Sequence, residues 1–234
     1  MEDEEWTKRL ASVMKKRGMD VRPETKVAEL RKNKESLKLQ LEGKHAGAVE
    51  VDMVLVAVGL ECNSEVVTDT ASLGVEVGAR GGIVVNDRME TSVRGVYAIG
   101  DVINRTWLAH GASAEGIVAA TNATGGDKRI DYRVLPSCTF TSPELASVGL
   151  TEREAKERGI EAKVGRFMFS GNGRAHALGE TDGMVKIVGD AATDEVIGVH
   201  ILGADAGELI AEGALAMRME ATVEEIATTI HTHP

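Results

Sequence analysis

The chain has 234 residues, 43% of them apolar and only 3% aromatic, with 26 glycines and a formal net charge of −10. That surplus of carboxylates excludes nucleic acid and anionic membrane surfaces as partners, since both repel it. The length suits one large or two modest domains, with a core of Val, Ile, Leu and Ala at close backbone approach.

Trp6, Leu10, Val13 and Met14 fall at helical spacing ahead of Gly18, which predicts an amphipathic helix over 4–17. The opening M-E-D-E-E-W-T-K-R-L is too charged for a signal peptide, and no apolar run reaches membrane-spanning length, so a cytoplasmic location is expected. K-V-A-E-L at 26–30 and S-L-K-L-Q-L at 36–41 alternate as strands, and H-A-G at 45–47 is turn-like. D-M-V-L-V-A-V-G, 52–59, is almost continuously apolar and reads as a central strand buried on both faces. G-V-Y-A-I-G-D, 95–101, reads as a second one, followed by a small-residue helix ending at Gly125-Gly126.

The grammar changes after D-Y-R-V-L-P, 131–136. C-T-F-T-S-P-E-L-A-S-V-G predicts strands around a turn. T-E-R-E is a capping box with Thr151 at the N-cap and Glu154 at N3, in a helix stopped by Gly159. E-A-K-V-G-R-F-M-F, G-M-V-K-I-V-G-D and E-V-I-G-V-H-I-L are three strands, the last two a hairpin. A helix over E-L-I-A-E-G-A-L-A-M-R-M-E follows, and Thr222 with Glu225 opens the last one. Residues 1–130 are thus pieces of α/β layers, and 131–234 are α+β with a mostly antiparallel sheet. Cys62 and Cys138 lie far apart without C-x-x-C spacing and are expected as reduced structural thiols, with a structural or redox pair as the alternative.

Two stretches carry chemistry. In G-V-Y-A-I-G-D-V followed by L-A-H-G-A-S-A-E-G, Gly100 clears a ligand's path and Asp101 places a carboxylate at the carboxyl edge of a sheet, where open α/β folds bind ligands. The helix start after it offers free N–H groups to an electron-rich group. On spacing alone, a strand-turn-helix with a capping Asp explains the stretch equally well. The chain ends I-H-T-H-P; by themselves the two histidines read as an exposed end, or as an H-x-H metal pair lacking a nearby third ligand. His45 in a polar turn, His200 in a strand and His176 in a loop (G-N-G-R-A-H-A) are read as packing or surface residues. Gly171 and Gly173 do not make a G-x-G-x-x-G, because the sixth position is His176.

The stretch 95–116 closely resembles the second flavin-contacting motif of the FAD-dependent pyridine nucleotide-disulfide oxidoreductases. V-L-V-A-V-G-L-E-C-N, T-F-T-S-P-E-L-A-S-V-G-L-T-E, G-V-H-I-L-G-A-D-A-G-E-L-I-A-E and I-H-T-H-P continue the likeness in order over nearly the whole chain. The resemblance implies that Gly100 and Asp101 meet FAD, with Asp101 on the ribityl chain. It also implies that the helix start at Leu108, Ala109 and His110 faces the pyrimidine end of the flavin, where negative charge builds on reduction. It makes His233 the catalytic base, taking a proton from a dithiol so that a thiolate attacks a redox disulfide, and His231 structural.

L-A-H-G-A-S-A-E-G and the H-x-H-P ending favour the branch that oxidises protein-bound dihydrolipoyl groups with FAD and NAD. The alternatives are a mercuric or glutathione-type reductase, or a non-catalytic dimerisation module. The implied partners are a second copy of the chain and the lipoyl-bearing subunits of 2-oxo acid dehydrogenase or glycine cleavage complexes. The implied domains are the end of an NAD-binding domain at 1–59, a FAD-contacting segment at 60–130 and a dimerisation domain at 131–234. The family's two glycine fingerprints, its C-x4-C pair and a Glu after the catalytic His are missing. The chain is therefore expected to be an incomplete part of the enzyme, inactive alone and prone to associate.

Overall fold

The computed structural model describes residues 3–65, 73–78 and 80–233. The chain divides into two compact units, residues 7–60 on the one hand and residues 61–234 with 1–6 on the other. The first helix, α1 (Glu4–Lys16), carries Glu4 and Glu5 in its first turn and Lys15 and Lys16 in its last, complementing its dipole. Gly18 follows at φ +88°, a left-handed stop.

In the smaller unit, β1 (Thr25–Lys32), β2 (Leu37–Gly43) and β3 (Gly47–Val51) form an antiparallel sheet in that order. Leu39 and Leu41, two residues apart on one face of β2, are buried, as alternation demands. The predicted central strand at 52–59 is not one. After Val51 the backbone stays irregular, and Met53, Leu55 and Val58 are 84%, 90% and 94% exposed. Among the described residues no strand lies beside this run to take its N–H and C=O groups, so its apolar sequence has nothing to pair with.

In the larger unit, residues 73–106 build a core of Val75, Ile83, Val85, Met89 and Ile103, closed by Val118. Residues 95–101 are also no buried strand. They make one isolated bridge, Glu90 to Tyr97, and Val96 and Ile99 stay partly exposed. Short loops pinned by single bridges replace the expected ladder. A 3₁₀ turn at Gly100–Ile103 leads to α2 (Ala109–Ala123), which lies where the sequence places a helix.

The α+β region is an antiparallel sheet in the order β4-β5-β8-β7-β6, from β4 (Ser137–Thr139), β5 (Glu144–Gly149), β6 (Ala162–Met168), β7 (Met184–Asp190) and β8 (Val196–Gly203). Between these lie α3 (Glu152–Glu157) and α4 (Gly173–Leu178); α5 (Ala206–Arg218) and α6 (Val223–Thr228) complete the chain. Both capping boxes form as the sequence requires, at Thr151–Glu154 and Thr222–Glu225. His176, expected in a loop, sits in α4: Asn172 caps its start and Gly179, at φ +74°, stops it.

One sheet face presents Ala146, Val148, Val199 and Ile201 to Ala206, Ile210 and Met217 of α5. A Cβ on Gly213 would stand 2.9 Å from Val199, so the helix approaches closer than any larger residue permits. On the other face, Lys186 and its cross-strand partner His200 are both buried. Residues 3–6 lie there: Lys186 Nζ is 2.8 Å from Asp3 and 2.9 Å from Glu5, and 5.3 Å from the centre of the Trp6 ring.

Candidate functional site

Gly100 adopts φ +71°, and a Cβ there would meet Ala112 Cβ at 3.2 Å. Gly116 in turn brings α2 against Ile99, whose Cδ1 is 3.3 Å from where its Cβ would be. The turn therefore lies on the first two turns of α2 because glycine stands on both sides of the contact. Asp101 follows with an exposed side chain, while its carbonyl accepts from the Asn104 amide at 3.0 Å and the Cys62 thiol at 3.3 Å.

The start of α2 has no side-chain cap and no acidic residue in its first turn. The amides of Ala109, His110 and Gly111 have no acceptor among the described residues. An uncapped helix end beside an exposed carboxylate suits a group that is anionic at one end and rich in hydroxyls at the other. Gly100, Asp101, Leu108, Ala109 and His110 are thus gathered on one turn, loop and helix start. The His110 ring takes a different course: its Nε2 donates to the Pro136 carbonyl at 2.7 Å. Only its backbone remains free at the helix end.

Glu115 is the residue the sequence did not single out. It is fully buried, and Oε2 accepts from the Gly100 amide at 2.7 Å while Oε1 accepts from the Tyr132 hydroxyl at 2.8 Å. Arg105 stacks 5.5 Å from the Tyr132 ring centre and donates to Val85 O at 2.8 Å. Burial raises the Tyr132 pKa, and the Glu115 carboxylate adds to it. The signal was present: Gly111, Glu115, Val118 and Asn122 are the buried stripe of α2, at helical spacing. A lone acid on that stripe needs partners, and Gly100 and Tyr132 are they.

At the other end, Ile230 is 96% exposed and His233 is exposed. Pro234, which completes the predicted signature, lies outside the described residues. His231 is held by both ring nitrogens, Nδ1 2.8 Å from Thr229 O and Nε2 2.7 Å from Glu212 Oε1. The Glu212 hydrogen bond raises its pKa. Both neighbours are acceptors, so the protonated ring satisfies both of them. Among the described residues no group of three or more metal-capable side chains converges.

A cleft of about 640 Å³ between β5, α3 and the Tyr132–Leu135 segment is lined by Tyr132, but by none of Gly100, Asp101, the start of α2, His231 or His233. Of its charged lining, Glu154 is engaged in its capping box and Arg133 with Asp131.

Comparison with known proteins decides the family. The model of the pyridine nucleotide-disulphide oxidoreductase domain matches residues 1–116, and that of the family's dimerisation domain matches residues 135–234. The chain belongs to this family. It is 48% identical over 235 residues to dihydrolipoyl dehydrogenase of Thermus scotoductus, covering 99% of this chain and 50% of that one. It is 42% and 41% identical to the mitochondrial dihydrolipoyl dehydrogenases of Canis lupus familiaris and Homo sapiens, covering 99% of this chain and 46% of each. The chain thus spans about half the length of these relatives.

LpdA of Mycobacterium tuberculosis superposes with a TM-score of 0.91 at 26% identity, over 100% of this chain and 50% of that one. The flavoprotein disulfide reductase RclA of Escherichia coli, solved as a Cu(II) complex, gives 0.89 at 24%, over 100% and 52%, a likeness of fold alone. The expected fold class stands: α/β pieces followed by an α+β dimerisation domain with an antiparallel sheet. No helix among the described residues is long and apolar enough to cross a membrane.

Proposed function

We propose that this chain is part of a dihydrolipoyl dehydrogenase, oxidising protein-bound dihydrolipoyl groups with FAD and NAD. The observation that carries the reading is the exposed Asp101 carboxylate on a glycine turn laid against the uncapped start of α2. The 41–48% identity to enzymes of that name supports the choice over a mercuric or glutathione-type reductase. Bound FAD would supply the electron acceptor between a dithiol and the nicotinamide. Asp101 would accept hydrogen bonds from the ribityl hydroxyls, and the amides of Ala109, His110 and Gly111 would favour negative charge at the pyrimidine end. Gly100 leaves the space these contacts need.

The resemblance of I-H-T-H-P to the family's ending assigns the base to His233, whose exposed imidazole would take the thiol proton on a ring nitrogen and return it later. The family's dimerisation model and the sheet at 135–234 support a homodimer presenting this base to a second copy. Lipoyl-bearing subunits of 2-oxo acid dehydrogenase or glycine cleavage complexes follow as partners. We assign residues 1–59 to the end of an NAD-binding domain, 60–130 to the flavin-contacting segment and 131–234 to dimerisation. Cys62 and Cys138, neither of them in a disulfide, fit a reducing compartment, the cytoplasm.

Alone, the chain is expected to bind FAD weakly and to turn over no dihydrolipoamide; purification as a yellow protein with stoichiometric flavin would contradict this. The direct test fuses it behind the part of the Thermus relative that it does not span. The fusion should hold flavin and reduce NAD+ with dihydrolipoamide, Asp101→Asn should lose flavin, and His233→Gln should keep flavin but lose turnover. Full turnover in the His233→Gln fusion would refute the assignment of the base.

A further inference from the structure

Among the described residues, 230–233 have little to hold them. Ile230 is almost wholly exposed, His233 is exposed, and α6 ends at Thr228. Among the described residues, the side-chain contact linking 230–233 to another element is that of His231 with Glu212. Glu212 stands on α5, the helix seated on the sheet through Ala206, Ile210, Gly213 and Met217. A helix anchored so firmly is a fixed post, and a side chain bonded to it inherits its position. The second bond, from Nδ1 to the Thr229 carbonyl, sets the ring's rotation about its own backbone.

We propose that the Glu212–His231 pair is a tether that fixes the terminal segment to α5 and thereby positions the imidazole of His233 two residues on. The role in orienting His233 rests on reading that residue as the base; the tether itself does not. Glu212 and His231 are positioning residues.

The tether is sensitive to protons. From α5 the Glu212 carboxylate faces His231; from its own segment only the Thr229 carbonyl does; no other charged group bears on its ring among the described residues. The protonated ring satisfies both acceptors, while the neutral ring has one N–H and must abandon one of them. The sign follows: the tether is complete below the ordinary histidine range and is lost as the pH rises through the elevated value of the folded ring. Both partners are about half exposed, so the bond is modest and salt weakens it.

The experiment is NMR on the intact 234-residue chain, following the two histidine ring signals and the amides of 230–233 across pH, in the wild type, Glu212→Gln and His231→Gln. In the wild type, His231 should titrate above the ordinary histidine value, and the tail amides should lose order through the same midpoint. Glu212→Gln should return that midpoint to the ordinary value and leave the tail disordered at every pH. His231→Gln should disorder the tail without any pH dependence. Both substitutions are on exposed side chains, and unchanged sheet signals confirm folding. Tail order that is the same in all three proteins, or that does not follow the His231 midpoint, overturns the tether. The assignment of His233 is judged separately by turnover in the fusion: an inactive His233→Gln fusion, together with tail order unchanged by Glu212→Gln and His231→Gln, leaves the base standing and the tether refuted.

Discussion

Replacing Lys186 by methionine isolates one buried charge. The side chain is 2% exposed and its ammonium faces three carboxylates: Asp3 at 2.8 Å, Glu5 at 2.9 Å and Glu152 at 3.7 Å. Two of these keep a second cation, because Arg166 lies 3.2 Å from Glu5 and 2.8 Å from Glu152. Among the described residues, Asp3, 6% exposed, keeps the Glu5 amide, which donates to Oδ1 at 2.9 Å, and the weaker influence of His200. The penalty therefore falls on Asp3, at about 3–5 kcal/mol for a buried charge that loses its partner. The lost ammonium–Trp6 contact adds about 1 kcal/mol. Adding Asp3→Asn to Lys186→Met removes the stranded charge and should recover most of the loss, since a pair removed together is often neutral.

Acid supplies a second check on the same reasoning. Burial opposes ionisation of Asp3, but the Lys186 hydrogen bond and the Glu5 amide outweigh it and hold its pKa below the ordinary value. That stabilisation is complete above the ordinary carboxylate range and is lost as pH falls through the depressed value. In Lys186→Met the buried carboxyl protonates readily, so the cost of the substitution should be smaller at pH 4 than at pH 7. Trp6 reports locally: its fluorescence in a Trp107→Phe background, followed through urea unfolding, gives the stability of this region. A Lys186→Met loss under 1 kcal/mol at pH 7, or one unchanged by Asp3→Asn, would refute the argument.

Glu115→Ala should strand the Gly100 amide and the Tyr132 hydroxyl, costing about 2–4 kcal/mol and speeding hydrogen exchange at Gly100. Gly213→Ala should cost about 1–3 kcal/mol in thermal unfolding, because the new methyl enters the van der Waals space of Val199. Thr222→Ala should cost about 1 kcal/mol and fray α6, seen as a loss of amide protection over Val223–Thr228. The exposed run holding Met53, Leu55 and Val58 should drive association beyond a dimer, and Leu55→Asp with Val58→Asp should remove those larger species in light scattering. Their persistence would place the contact elsewhere.

Elements that carry their own stop and start were legible from the sequence. The boxes at Thr151 and Thr222 satisfy orphan amides within four residues, and the β7–β8 hairpin pairs strands that follow one another. The run at 52–59 was not legible: its Val-rich pattern expresses a preference for burial, and no pattern within eight residues says whether a neighbour is present to provide it. Residues 95–101 failed in the same way, since single bridges between loops leave the periodicity of a strand without its ladder. The short α4 was a different miss. Asn172 and Gly179 marked both its ends, and the glycine-rich start obscured them. Of the site, Gly100, Asp101 and the start of α2 could be placed from one contiguous stretch. Glu115 could not, because its meaning lies in a hydroxyl at Tyr132 that only folding brings near.

That carboxylate has a mechanical consequence. By gripping the Gly100 amide with one oxygen and the Tyr132 hydroxyl with the other, Glu115 acts as a rivet between the Gly100–Ile103 turn and the strap of chain leading to the β4–β8 sheet. Any pull on that strap would reach the turn through a buried carboxylate. Glu115 and Tyr132 are therefore coupled: shortening either one strands a polar group of the other.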